Sequence, residues 1–167
     1  MHKNMKKGYI SFSLNKKSDN NIIDFVNSLD ESIFAYKNIN GKIIRGKEKD
    51  LHMTLFFGID DEKLDIEKMN SFLESVKLKS LNVKEIDLFD IEGIAEKLLV
   101  IKLEKTEELE KLRNALLNFD YFEDRFTNNY IPHITLGYVR PSVNISDISL
   151  DIKSVDFEKP LYKAKNF

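Results

Sequence analysis

The stretch Leu51-His52-Met53-Thr54-Leu55 returns later in the chain as Pro132-His133-Ile134-Thr135-Leu136. Each copy sets a histidine and a threonine two positions apart inside an apolar run. Successive side chains of a strand point to opposite faces. As strands, the two copies present His52 with Thr54 and His133 with Thr135, each pair on one face. Leu51, Met53 and Leu55, like Ile134 and Leu136, then turn to the other face and into a core. The chain has three histidines, and two of them fall in this repeat. His2 lies close to the N-terminus and is given no role.

Working outward, the rest of the chain supplies what such strands need. Tyr9 to Leu14 alternates, with Ile10, Phe12 and Leu14 on one face and Tyr9, Ser11 and Ser13 on the other, which predicts a strand. Ser18-Asp19 offers a helix start for Ile22, Phe25, Val26 and Leu29. Gly41 marks a turn, and Lys42 to Arg45 is a short strand candidate. Asp60-Asp61-Glu62 leads towards a second helix with Ile66, Met69, Leu73 and Val76 as its inner stripe. Val83–Asp90 and Leu98–Leu103 form a hairpin around Gly93. Thr106 caps a third helix with Leu109, Leu112 and Leu116 inward. The aromatic and charged stretch from Phe119 to Tyr130 follows no simple period and reads as a structured loop. Leu150 to Phe157 and a segment after Pro160 are further strand candidates.

The element order predicts an α+β fold: two lobes of mainly antiparallel sheet facing a central cleft, with helices packed on the outside. The 167 residues make one domain, with pseudo-symmetric lobes over roughly 9–80 and 83–167. The hydrophobic fraction is 42% and the charged fraction 32%, which suits a globular chain rather than a disordered one. No apolar run approaches the roughly 20 residues that span a bilayer, so no membrane partner is expected. Without cysteine there can be no disulfide, thiolate metal site or cysteine nucleophile. The expected compartment is the cytoplasm. A net charge of −2 argues against a long duplex as partner, because such binding rests on neutralising many phosphates. A small nucleotide needs only a few local cations.

Two imidazoles at one cleft make an acid–base pair. An unperturbed histidine titrates near pH 6.5, so one ring can accept a proton while the other gives one. Each transfer contributes roughly 10²–10⁴ in rate. The paired threonine hydroxyls can hydrogen-bond phosphate oxygens as charge builds on them. Two histidines without a third ligand at suitable spacing make a poor metal site, so neither metal nor cofactor is expected.

The His52-Met53-Thr54 and His133-Ile134-Thr135 tripeptides, 81 residues apart, resemble the paired motif of the 2H phosphoesterase superfamily. That superfamily includes the LigT-like RNA ligase proteins, cyclic nucleotide phosphodiesterases and 2′,5′-oligoadenylate-cleaving enzymes. The Pro132–Tyr138 context also resembles the phage anti-CBASS branch, which degrades cyclic oligonucleotides. The resemblance implies a two-lobed fold and metal-independent cleavage of a phosphodiester at a ribose 2′ position. The substrate would be a small RNA-type molecule: a cyclic oligonucleotide, a 2′,5′-oligonucleotide or a 2′,3′-cyclic phosphate. His52, Thr54, His133 and Thr135 would be the catalytic groups of a monomeric phosphodiesterase. Phe56, alternating onto the His52 face, could stack a base, and Tyr9, Arg125 and Tyr130 could also reach substrate. Gly137 would lie on the catalytic face and leave room there, with Tyr138 turned away. The alternative is a module that sequesters a nucleotide or RNA end without cutting it.

Overall fold

A computed structural model describes residues 6–44 and 46–166, so His2 and Arg45 lie outside the described residues. The strands are β1 (Lys6–Ser13), β2 (Lys37–Ile39), β3 (Lys42–Ile44), β4 (His52–Asp60), β5 (Ser80–Asp90), β6 (Lys97–Leu103), β7 (His133–Val139), β8 (Ser154–Asp156) and β9 (Leu161–Asn166). The helices are α1 (Lys16–Ser28), α2 (Ile66–Ser75) and α3 (Glu107–Leu116). Seven strands form one sheet in the order β8-β5-β6-β7-β4-β1-β9, and β2 pairs with β3 as a separate hairpin. Every strand pairing is antiparallel. The α+β class and the antiparallel strands agree with the sequence. The halves, however, are joined into one continuous sheet, and the two His-Thr strands, β4 and β7, sit side by side at its centre. The last strand also crosses the expected division between halves, since β9 pairs with β1.

Each helix starts on a side chain that accepts a free backbone N–H: Asn15 for α1, Asp65 for α2 and Thr106 for α3. The Thr106 cap is the one the sequence suggests. Helix α1 begins earlier than Ser18-Asp19, because Asn15 Oδ1 accepts from Ser18 N at 2.9 Å and draws Ser18 into the helix. Ser18 Oγ then accepts from Asp156 N at 2.9 Å and ties α1 to β8. That strand is shorter than the expected Leu150–Phe157 run.

The helices lay their apolar stripes on a single sheet face. Ile22 and Val26, Met69 and Leu73, and Leu109 and Leu116 join one core with Ile10, Phe12, Met53, Leu55, Ile101, Ile134 and Leu136. Burial of this kind stabilises by roughly 25 cal/mol per Å² of apolar surface. It also fixes the register of β4 and β7, since a one-residue slip would turn Met53 and Ile134 out to water.

Strands β4 and β7 meet at Met53 and Ile134 and then diverge. Each then pairs with the segment that leads into the other. Residues 46–48, just ahead of β4, bond to β7: Tyr138 N donates to Gly46 O at 2.7 Å and Glu48 N to Leu136 O at 2.9 Å. Residues 120–122, ahead of β7, bond to β4: Phe122 N donates to Gly58 O at 2.7 Å and Asp60 N to Asp120 O at 2.9 Å. Glycine is required at both crossings. A Cβ on Gly137 would run into Gly46 O, and one on Gly58, at φ +106°, would sit 2.8 Å from Phe122 O.

Candidate active site

The Met53–Ile134 pairing sets the geometry of the two motifs. Antiparallel register puts His52 opposite Thr135 and Thr54 opposite His133, all on the face away from the helices. Directly opposed side chains have Cβ atoms about 5 Å apart. The four groups therefore form a square, with a histidine at each end of one diagonal and a threonine at each end of the other. All four are half-buried.

The imidazoles are held in the same way. His52 Nδ1 lies 2.8 Å from Asp50 O, and His133 Nδ1 lies 2.7 Å from Ile131 O. A carbonyl oxygen only accepts, so each Nδ1 carries a proton. In the neutral ring the lone pair is then on Nε2, which fixes the tautomer and the ring orientation. The two rings differ in their surroundings. Phe89 packs edge-on against His133, with centroids 4.9 Å apart. Burial pushes the His133 pKa below the ordinary imidazole value, and the nearby His52 lowers it further, against the opposing effect of the Ile131 carbonyl.

Cross-strand pairing extends the square into two rows. One runs Glu85, Lys102, His133, Thr54, Ser11; the other runs Asp87, Val100, Thr135, His52, Ser13. Lys102 is thus the neighbour of His133 on the His-Thr face. Its Nζ lies 2.6 Å from Asp87 Oδ2 and 3.3 Å from Glu85 Oε1. Hydrogen bonding to Asp87 raises the Lys102 pKa, and the same bond holds Asp87 below the usual carboxylate range. Without the cation, two carboxylates would face any incoming phosphate.

Each motif strand carries an extra residue immediately after its threonine. On β4, Thr54 pairs with Ser11 and Phe56 with Ile10, leaving Leu55 unmatched. On β7, Thr135 pairs with Val100 and Gly137 with Leu99, leaving Leu136 unmatched. A bulge of this kind shifts the alternation of all that follows. Phe56 therefore turns into the core, 2% exposed and edge-on to Tyr121, and offers no face to a base. Phe57 takes its place on the His-Thr face, where it stacks with Tyr9 at 6.4 Å. For the same reason Gly137 faces the core side and Tyr138 turns to the His-Thr face. Strict alternation assigns both pairs the other way round, and nothing in the residues themselves announces the bulges.

Tyr130 and Arg125 are separated by the fold. The Tyr130 hydroxyl donates to Thr54 O at 2.7 Å, so it supports the first motif from beneath. Burial raises its pKa, and the Arg113 charge opposes this. Arg125 is exposed, with Glu92 at 3.9 Å and the Phe126 ring as partners. Arg113, which no sequence pattern singles out, donates to Leu55 O at 2.6 Å and Thr127 O at 2.9 Å. Among the described residues, no group of three or more His, Cys, Asp or Glu side chains is placed to hold a metal ion. No helix there is long and apolar enough to cross a membrane.

Three solved structures are similar in fold over nearly their whole length. E. coli LigT, complexed with 3′-AMP, has 11% identity and a TM-score of 0.51, covering 98% of this chain and 94% of its own. Kluyveromyces marxianus Usb1 has 10% identity and a TM-score of 0.56, covering 96% of both. A protein described as a phosphoesterase has 14% identity and a TM-score of 0.52, covering 96% of this chain and 94% of its own. The fold is the one these three structures share. No family model and no curated protein matches the sequence itself. At such identities the likeness lies in the path of the backbone.

Proposed function

We propose that the protein is a metal-independent phosphodiesterase that cleaves small RNA-type substrates by two-histidine acid–base catalysis. The observation that carries this reading is the matched tethering of His52 and His133. Each ring gives Nδ1–H to the carbonyl two residues back and keeps Nε2 for chemistry, across a square completed by two threonines.

The unlike surroundings of the rings support one assignment of the roles. His133, whose buried ring favours the neutral form, is the base in this reading; its Nε2 takes the proton from a ribose 2′-hydroxyl as that oxygen attacks phosphorus. His52 is the acid in this reading: its Nε2 gives a proton to the leaving oxygen while Nδ1–H stays on Asp50 O. The Thr54 and Thr135 hydroxyls donate to the non-bridging oxygens. The products are a 2′,3′-cyclic phosphate and a free hydroxyl; on a substrate already cyclic, water attacks in place of the 2′-hydroxyl. Small oligonucleotides carry the linkage this chemistry cleaves, and the degradation of cyclic oligonucleotide immune signals is the role that the resemblance to phage enzymes suggests.

The test is incubation with cyclic di- and trinucleotides, linear 2′,5′- and 3′,5′-oligonucleotides and 2′,3′-cyclic ends, with products read by mass spectrometry. Cleavage that persists in EDTA is expected. Ligand bound but unchanged after hours would mean a sequestering module instead.

A further inference from the structure

Beyond the square, the catalytic face carries two aromatic platforms on opposite sides. Phe57 and Tyr138 occupy equivalent positions, each five residues after its histidine and each turned to this face by its strand's bulge. Phe57 lies past Thr54, at the end of the square that holds His133, and stacks with Tyr9 at an interplanar angle of 30°. Tyr138 lies past Thr135, at the end that holds His52, and pairs across the sheet with Leu98, which pairs in turn with Phe89. Phe57, Tyr9 and Tyr138 are half-buried. At about 3.3 Å per residue, each ring stands within roughly 10 Å of its motif threonine along the strand. The strip between the rings holds the His and Thr side chains, so an apolar surface borders a polar centre on two opposite sides.

Resting on the function proposed above, we infer that the protein binds a nucleobase on each side of the scissile phosphate. Its substrate is then an internucleotide diester, and a phosphate carrying a single nucleoside fills only half of the site. With His133 as base, the Tyr9–Phe57 platform takes the base of the nucleoside that supplies the attacking hydroxyl. The Tyr138–Leu98 platform takes the base of the leaving nucleoside. Stacking tolerates every base because each has a π-face, so the site selects for two bases rather than for a sequence.

The experiment crosses two substitutions with three substrates built on the linkage that the wild type cleaves: the full dinucleotide, the same diester without the base on the attacking side, and the diester with a methyl group in place of the leaving nucleoside. The wild type should lose about tenfold or more in kcat/KM for either missing base. Phe57→Leu should lower kcat/KM on the full substrate by about tenfold and leave the attacking-side abasic diester unchanged. Tyr138→Leu should lower it on the full substrate and leave the methyl diester unchanged. Those unchanged rates also show that each variant folds. Equal losses on all three substrates, crossed losses, or a wild type indifferent to the bases would overturn the inference. A wild type that cleaves no diester at all would instead overturn the proposed function and this inference with it.

Discussion

The Arg113 guanidinium lies 3.9 Å from the centre of the Tyr130 ring, and together they brace the strand of the first His-Thr motif. The Tyr130 hydroxyl bonds to Thr54 O, and Arg113 bonds to Leu55 O, the carbonyl of the bulged residue. A bulge leaves backbone groups without their ladder partners, and a buried carbonyl needs a donor. At the second bulge Leu136 O takes a backbone N–H from Glu48 instead. The two motifs thus share a geometry and differ in what holds it.

Removing this brace should affect catalysis and stability together. Arg113→Met leaves Leu55 O and Thr127 O without these donors, and an unsatisfied buried group costs about 1–3 kcal/mol. Tyr130→Phe removes one hydrogen bond and should cost about 1 kcal/mol. Urea denaturation measures both losses. Turnover should fall in each variant with KM changed less, because the brace fixes Thr54 and His52 without touching substrate. Full stability in Arg113→Met would contradict this.

Either catalytic imidazole should be indispensable. His52→Ala and His133→Ala should each lower kcat by roughly 10²–10⁴. The double variant should fall little further, because residues that act as a unit are not additive. Single-turnover rates on one diester settle the matter, and near-normal turnover in either single variant would remove that residue from the mechanism.

The pH dependence follows from the burial of His133. Its folded-state pKa lies below the ordinary value of 6.5, so the proposed base takes up its proton only below that value. The acidic limb of kcat/KM should therefore fall below pH 6.5. Phe89→Ala opens the ring to water and should move that limb upward. Stability follows the same sign. The unfolded chain takes up the proton first, so this contribution is complete above about pH 6.5 and is lost as pH falls through the folded value. An acidic limb that Phe89→Ala leaves in place would contradict the assigned cause.

Much of the site was legible because strand periodicity is local. The His-x-Thr repeats, the apolar residues beside them, the hairpin and the Thr106 cap each follow from side chains a few positions apart. The bulges at Leu55 and Leu136 do not, since they depend on which residue of a neighbouring strand each one meets. They exchange Phe56 for Phe57 and Gly137 for Tyr138. Lys102 and Arg113 were hidden for the same reason, because they reach the motifs across the sheet and from a helix. The halves merge into one sheet because β4 and β7 pair directly, which no short-range pattern records.

The two glycine crossings should resist any side chain. In Gly137→Ala the new methyl meets Gly46 O, and overpacking of this kind costs about 1–3 kcal/mol. Gly58→Ala adds a left-handed backbone strain of about 1–2 kcal/mol to its contact with Phe122 O. Thermal melts test both, and an unchanged melting temperature in either variant would show that residues 46–48 or 120–122 do not hold the close approach described.

The most direct test of the shared site is a crystal structure with a nucleoside vanadate, which mimics the five-coordinate phosphorus of the transition state. His52 Nε2 and His133 Nε2 should each lie about 3 Å from a vanadate oxygen, on opposite sides of the metal, with both threonine hydroxyls on equatorial oxygens. A vanadate held by one imidazole alone, or bound away from the β4–β7 face, would contradict the account.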